Sequence, residues 1–600
     1  MGSEVRMQSA KCKVQSVKKG QEGKKAGEQV SSHVSRLTSH IIIFFLLLLT
    51  THCSLLTAEA QGLPNNQEFV RIAISNNGFK SLIYNQISVI ANAPYMIYDK
   101  ATQMPILNCQ SSDTVKVTFN ADGFDLSVNN KNVEKNLKGT LVFDSPKGLL
   151  GVENLTRNAK QALYHGVFEL TPKDNNSFYL INVLDIQDYL KGVVPNEMPV
   201  RFGLEALKAQ AVAARNYVLM PRTRIAQFDV DDSVASQVYF GAATESALSN
   251  QAVNETEGLV ALYNWDLIQA QYCSTAGGYT ENYENAFSDP KTKVFPSKPK
   301  PYLQGKPDIL SVAPLNREEE ARLFYMSFPD SYDIKSPYYR WQREFTPKDL
   351  HDTLQKTLIA QSKTGFIRPT FREDDKLGEI KELKVNKRGV SGKVMELEII
   401  TDKGSYHVYK ELVIRRLLQK NGVSLPSANV VFEHLYSTQQ GVETPCLYKI
   451  VAYGGGFGHG VGMSQFGAGF MATSLHKSFD NILKRYYSGI TVSTIPIILS
   501  SSNEQKIVTQ QFFAPYQKAN LMVDNRYQIK EFNANINGRD VAFELATSIV
   551  PFNRMCEIDI SSYVKRGANK ITFYFPAGQK NKGIRLYIEL VEKDEGRYNF

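Results

Sequence analysis

From Leu204 to Met220 the chain reads Leu-Glu-Ala-Leu-Lys-Ala-Gln-Ala-Val-Ala-Ala-Arg-Asn-Tyr-Val-Leu-Met, good or tolerable helix formers with neither Gly nor Pro among them. Leu207, Ala211, Ala214 and Val218 recur at helical spacing, which predicts a buried helix around which the other segments must meet. Just upstream, Asp188-Tyr-Leu-Lys-Gly-Val-Val-Pro-Asn-Glu-Met-Pro sets Asn196, Glu197 and Met198 between Pro195 and Pro199. Two prolines deny so short a segment a regular ladder of backbone bonds. Glu197 is therefore expected on a stiff turn leading into the helix. A carboxylate there reads either as a helix-start Glu favoured by the macrodipole or as a general acid or base on a rigid support.

Six hundred residues call for two or three hydrophobic cores, and a composition 42% hydrophobic and 22% charged is that of a globular chain. The first forty residues are basic and polar and precede the apolar run Ile41–Leu49, with Ala58-Glu-Ala60 as a small-residue exit. Nine apolar residues are too few to span a bilayer and suit a secretory signal cleaved after Ala60. Residues 1–62 are thus read as a signal peptide or, given the long basic lead, an N-terminal membrane anchor. Export places the protein in the periplasm or at the cell surface. Residues 1–60 hold eight basic and four acidic side chains, so removing them lowers the net charge from +9 to +5. That mild excess, without a Lys/Arg stripe, excludes a nucleic-acid partner. Cys109, Cys273, Cys446 and Cys556 are scattered without a CxxC pair, which is no zinc signature and leaves one or two disulfides open.

Residues 68–170 alternate short β-like runs with turn residues. They feed Phe178–Val183 and then the central stretch. Beyond the helix lie Ser236-Gln237-Val-Tyr239 and Gln271-Tyr-Cys273-Ser274-Thr-Ala-Gly277-Gly278-Tyr-Thr-Glu281-Asn-Tyr-Glu284. The Ala-Gly-Gly step serves either a turn or the close approach of another backbone or a ligand. Helices are expected over residues 315–328, 346–360 and 410–418, with strand alternation over 379–400. From Gly454 to Gly462 glycine occupies every second position, which predicts an extended strand with one bare face and with Phe457, His459, Val461 and Met463 on the other. The run lacks the GxGxxG context and the GK[ST] ending of nucleotide loops. His459 is a candidate polar site residue or a structural histidine bonded to backbone. Ser464 is an expected N-cap. After residue 505 the texture is alternating strand, with Ile584, Leu586, Ile588 and Leu590 on one face and the hairpin signal Asn537-Gly538.

Five blocks, Asp188–Pro199, Glu205–Arg215, Ser236–Tyr239, Ser274–Gly278 and Gly458–Gln465, closely resemble the SpoIID/LytB family. Minor matches are Tyr164–Gly166, Ser336–Trp341 and Tyr486–Gly489. The resemblance spans roughly residues 68–495. It implies a β-rich domain over 63–500 around the central helix; outside it, the strand alternation predicts a separate C-terminal all-β sandwich of jelly-roll type over 505–600, a candidate carbohydrate-binding module, for an α+β fold overall.

For function the resemblance implies a lytic transglycosylase cutting peptidoglycan glycan strands between MurNAc and GlcNAc, or a non-catalytic, LytB-like enhancer of a wall amidase. The expected partners follow: glycan strands, and an amidase or other wall-remodelling protein. The family's essential acid falls on Glu197. Gln210, Arg215, Tyr217, Gln237, Tyr239, Ser274, Gly277, Gly278, His459, Ser464 and Gln465 become substrate-binding or supporting residues, and Glu281 and Glu284 are candidates for a second acid. Gln210 and Arg215 lie roughly 140° apart around a helix, so Gln210 is expected nearer the sugar and Arg215 on the adjoining loop. Some members bind zinc just before Gln-Val-Tyr; here Val230, Asp231, Asp232, Ala235 and Ser236 stand in that place, and neither metal nor other cofactor is expected.

Overall fold

The computed structural model describes residues 10–11, 13–16, 69–220, 227–309, 312–437, 446–499, 506–525, 529–545, 555–575 and 584–591. The apolar run at 41–49 and the cleavage motif at 58–60 lie outside them. No helix of the described residues is long and apolar enough to cross a membrane.

The chain is β-rich and α+β. Two sheets open it. One has six strands and includes Gln86–Ala91, Val115–Asn120 and Leu150–Arg157. The other runs from Val230–Asp231 through Phe69–Ala73, Phe178–Asp185 and Val167–Pro172 to Pro105–Cys109. Alternation places Ile87, Val89, Val115, Val117, Phe143 and Phe168 in a common core. The end of the alternating region forms two strands, Lys160–Tyr164 and Val167–Pro172, separated at His165-Gly166.

The helix Leu204–Leu219 lies against this core almost wholly buried, with Leu207, Ala211, Ala214 and Val218 all inside. Its buried polar side chains find hydrogen-bond partners, as interior groups must. Asn216 accepts from the Ala261 amide at 2.7 Å and donates to the Ala261 and Ile268 carbonyls.

A lobe between residues 341 and 454 has its own core. The helix Pro347–Ser362 covers a four-stranded sheet that includes Ile380–Arg388, Val394–Thr401 and Gly404–Tyr409, beside a three-stranded sheet that includes Val430–Ser437 and Cys446–Gly454.

Residues 506–590 form two facing sheets between which the chain passes back and forth, around a third core containing Phe532, Phe543, Phe573 and Ile588. Asn537 and Gly538, both at positive φ, turn the hairpin between Glu531–Ile536 and Arg539–Glu544. This sandwich is not separate. Ile584–Leu590 pairs with both Ile497–Leu499 and Thr491–Thr494, so one of its sheets continues into Leu259–Tyr263 of the central body. Tyr587, on the face opposite Leu586 and Ile588, is buried against Trp265 with ring centroids 4.3 Å apart. Ala10–Lys11 and Lys13–Ser16 add at sheet edges of the sandwich; cleavage after Ala60 would remove both.

The glycine run does not form the expected strand. Gly456, Gly458, Gly460 and Gly462 all adopt positive φ, so the segment winds instead of extending. The physical reason is close backbone approach: a Cβ on Gly462 would overlap the Gln271 carbonyl, 1.9 Å away. Phe457 and Thr275 exchange backbone hydrogen bonds, and Met463 donates to Gln271, so the run is threaded through the segment 271–281. Cys109, Cys273 and Cys446 are free thiols.

Candidate active site

Glu197 ends a helix; it does not begin one. Asp185 caps Ile186–Glu197 by accepting from the Gln187 amide, and Pro195 is accommodated in the last turn, where it forfeits a single backbone donor. Met198 is then extended, and Pro199 leads through a short 3₁₀ turn to the central helix. At a helix C-terminus the macrodipole opposes a negative charge. The rigid support is real, but its dipole favours the protonated acid.

The carboxyl is partly exposed, and its Oε1 accepts from the Val238 amide at 2.7 Å. Burial pushes the group up to about 7, against the pull of the Val238 hydrogen bond and of the nearby Tyr272 hydroxyl, which favour the ionised form. A carboxyl with that affinity holds its proton near neutrality yet can release it, as a general acid requires.

The loop carrying Val238 is fastened from behind. Asp232 is fully buried, pairs with Arg157 at 2.7 Å and accepts from the Ser75 hydroxyl and amide, while its carbonyl accepts from the Tyr239 amide. Gln237, also fully buried, donates from Nε2 to the Tyr272 hydroxyl at 3.0 Å and accepts at Oε1 from the Tyr189 hydroxyl at 3.1 Å. Tyr239 donates to Asn182 Oδ1 at 2.8 Å and packs with the Tyr164 and Tyr189 rings. Tyr217 is half-buried on the central helix, electrostatically close to Tyr272.

The other anticipated residues divide by what they touch. Arg215 donates to the Leu259 carbonyl at 2.9 Å and to Gln187 Oε1 at 3.0 Å, tying the start of the acid-bearing helix to the central sheet; burial lowers its affinity for the proton to a pKa of about 10. Gln210 accepts from Gln465 Nε2 at 3.2 Å, joining the central helix to Gln465–Thr473. Ser464 caps that helix by accepting from the Gly467 amide. Ser274 accepts at its carbonyl from the Phe466 amide. Gly277 donates its amide to Asp333 at 2.7 Å, and a Cβ there would meet the Gly455 carbonyl carbon at 2.7 Å, so this glycine admits a backbone. Gly278, also at positive φ, lies beneath Phe324 and Tyr339.

Two expectations change. Glu281 is fully buried and accepts from the Asn282, Val390 and Ser391 amides, the Ser391 hydroxyl and Asn285. With both oxygens saturated it is a cross-link to the second lobe and has no lone pair left for a sugar. His459 accepts at Nδ1 from the Val461 amide at 3.1 Å and lies against Phe287. Burial pushes its imidazole down to about 4, so it is neutral and fixed by backbone. Glu284 sits on the short helix Tyr283–Ala286 with one oxygen buried and without a hydrogen-bond partner among the described residues. Asp308 is also pushed up to about 7 by burial, but it is sealed beneath Arg485 and Tyr486, which bond both its oxygens.

Tyr272 and Tyr189 were not anticipated. Each stands beside a motif residue, Cys273 and Asp188, but nothing in periodicity or spacing marks a tyrosine whose hydroxyl converges on a distant carboxyl.

Comparison with known proteins covers the same segments. Residues 174–263 match the family model described as Stage II sporulation protein, and residues 289–462 match DUF8618, a domain of unknown function. An uncharacterized protein of Brachyspira hyodysenteriae is 26% identical over 432 residues, 71% of this chain and 93% of that protein. The amidase enhancer of Bacillus subtilis is 31% identical over 319 residues, 51% of this chain but only 40% of the enhancer. Stage II sporulation protein D of Bacillus subtilis is 28% identical over 340 residues, 54% of this chain and 78% of that protein.

Proposed function

The chain belongs to the SpoIID/LytB family, and on that premise we propose that it is a lytic transglycosylase acting on peptidoglycan glycan strands in cell-wall remodelling. The observation that carries this reading is the environment of Glu197: one partly open carboxyl, raised to about 7 by burial, with one oxygen fixed by the Val238 amide.

Ordinary glycosidases divide the work between two carboxyls. Here Glu281 is saturated, and Glu197 suits a mechanism that needs one carboxyl. Protonated Glu197 donates its proton to the glycosidic oxygen linking MurNAc to GlcNAc, and that C–O bond breaks. The 6-hydroxyl of the same MurNAc attacks its anomeric carbon and gives its proton back to Glu197, closing a 1,6-anhydro ring. Water does not enter, and the acid is restored. Neither metal nor nucleotide takes part.

The amidase enhancer among the relatives supports a second reading, in which the protein binds strands without cutting and recruits or stimulates an amidase. Export by the N-terminal segment would bring either form to its substrate, and the C-terminal sandwich is a candidate for holding the wall. The test is mass spectrometry of denuded glycan strands incubated with residues 61–600 and with Glu197→Gln. Ends bearing 1,6-anhydro-MurNAc from the wild type alone support the enzyme. If neither protein makes them and an added amidase is accelerated by both, the enhancer reading replaces it.

A further inference from the structure

Two aromatic rings lie beside the acid, and no step of the proposed reaction uses them. Val238, whose amide holds Glu197 Oε1 at 2.7 Å, begins a short run laid along the acid-bearing helix Ile186–Glu197. At its other end the Phe240 amide donates to the Gly192 carbonyl at 3.3 Å. By helical rise Gly192 lies about 7.5 Å from Glu197, so the run follows the helix back from its acid. Gly192 permits that closeness, because a Cβ there would meet the Tyr239 ring at 2.6 Å and the Gly241 carbonyl at 3.0 Å. Burial alternates along the run. Gln237 and Tyr239 are buried, whereas Val238 and Phe240 are only partly covered and emerge on the solvent side, where Glu197 also opens.

Phe240 does not stand alone. The Phe79 ring, 41% exposed, stacks on it with centroids 6.0 Å apart and planes 27° from parallel. Behind Phe79 the Arg157 guanidinium lies 4.6 Å from the ring centroid and is itself held by Asp232 at 2.7 Å, so the pair has a fixed backing. Phe79 ends a short 3₁₀ turn at φ 56°, a left-handed conformation that a bulky side chain disfavours and that Gly or Asn adopts readily. Burial returns little for that strain, since much of the ring faces water. A strained position carrying an exposed aromatic ring points to a use for the ring itself.

We infer that Phe240, backed by Phe79, is a stacking platform for the apolar face of a hexosamine ring in the glycan strand, aligning the sugar next to the linkage that Glu197 protonates. The inference deepens the reading of Glu197 as the acid of a strand-cutting enzyme and rests on it for what the platform aligns. The chemistry fits. In β-linked hexosamines the hydroxyl, acetamido and linking groups are equatorial, which leaves C–H bonds on the ring's faces to meet the negative face of an aromatic ring. Such a contact reads the sugar backbone and is neutral, so salt does not screen it.

The probe is solubilised, denuded glycan strands titrated by calorimetry into Glu197→Gln, which keeps strands intact. Adding Phe240→Ala should weaken binding about tenfold, and equally at high salt. Phe240→Leu, which fills the space without a ring, should lose nearly as much, while Phe240→Tyr should keep the parent affinity. Phe79→Ala removes the support and not the contact, so its loss should be smaller; at an exposed turn, it serves as the test if the Phe240 variants do not fold. Unchanged affinity in folded Phe240→Ala, full binding by Phe240→Leu, or no binding of strands by Glu197→Gln overturns the proposal. Because binding needs no turnover, the two readings separate: a loss confined to the ringless variants, with no anhydro ends from the wild type, keeps the platform and removes the transglycosylase.

Discussion

Replacing Glu197 by Gln should stabilise the fold at alkaline pH, in proportion to the cost of the buried charge. The native carboxyl titrates at about 7 against 4.5 for an ordinary Glu. At roughly 1.4 kcal/mol per pH unit this is about 3 kcal/mol of preference for the protonated form, and partial exposure to solvent reduces it to about 2 kcal/mol. The sign follows from proton binding: between the two midpoints the native state holds more protons than the unfolded one, so wild-type stability falls as pH rises from about 4.5 through about 7. Gln keeps an oxygen for the Val238 amide and an NH₂ that can meet the Tyr272 oxygen, so little else is lost. Urea unfolding of both proteins at about pH 5 and about pH 8 isolates the effect, since every other titrating group cancels in the difference. The stability of Glu197→Gln relative to wild type should grow by about 2 kcal/mol across that interval. A relative stability that does not change with pH would refute the account of a buried, proton-holding acid.

Glu281→Ala leaves three backbone amides and two side-chain donors without an acceptor between the domain and its second lobe; a loss of about 3 kcal/mol or more is expected in thermal or urea unfolding. Asp232→Asn leaves buried Arg157 without its counter-charge and should cost about 3–5 kcal/mol, with a loosened Val238 loop visible as faster amide hydrogen exchange. His459→Gln should leave the pH–rate profile unmoved between about pH 5 and 8, because the neutral ring titrates at about 4; a lost limb would make His459 a proton carrier. Gly462→Ala sets a Cβ against the Gln271 carbonyl at positive φ, and a melting temperature lower by several degrees is expected.

What could be read in the chain and what could not follows from range. The run Leu204–Met220 is a helix because each residue's own preference and the recurrence of Leu207, Ala211, Ala214 and Val218 agree. Ser464 as a cap and Asn537-Gly538 as a hairpin are equally local, settled by one hydroxyl and by two positive φ angles. Local rules failed where a distant backbone intervened. Two prolines suggested a turn at Glu197, but helix contacts with the central helix and the 241–244 turn carry the helix through Pro195. Alternating glycines suggested a flat strand, whereas Gly456, Gly458, Gly460 and Gly462 adopt a left-handed φ as the run threads between residues 271 and 281. Strand alternation likewise could not show that Ile584–Leu590 pairs with Thr491–Thr494.

By itself, then, the sequence determined the central helix, the β-rich class and the family blocks, with Glu197 as the candidate acid among them, all of which depend on residue type and short spacing. Only the tertiary structure decided which groups surround that acid. Glu197, Val238 and Tyr272 are brought to one point by loops fastened elsewhere, and the pKa of a carboxyl depends on its burial and its donors rather than on its neighbours in the chain. The same long-range packing saturated Glu281 and neutralised His459, turning two candidate reactive groups into supports.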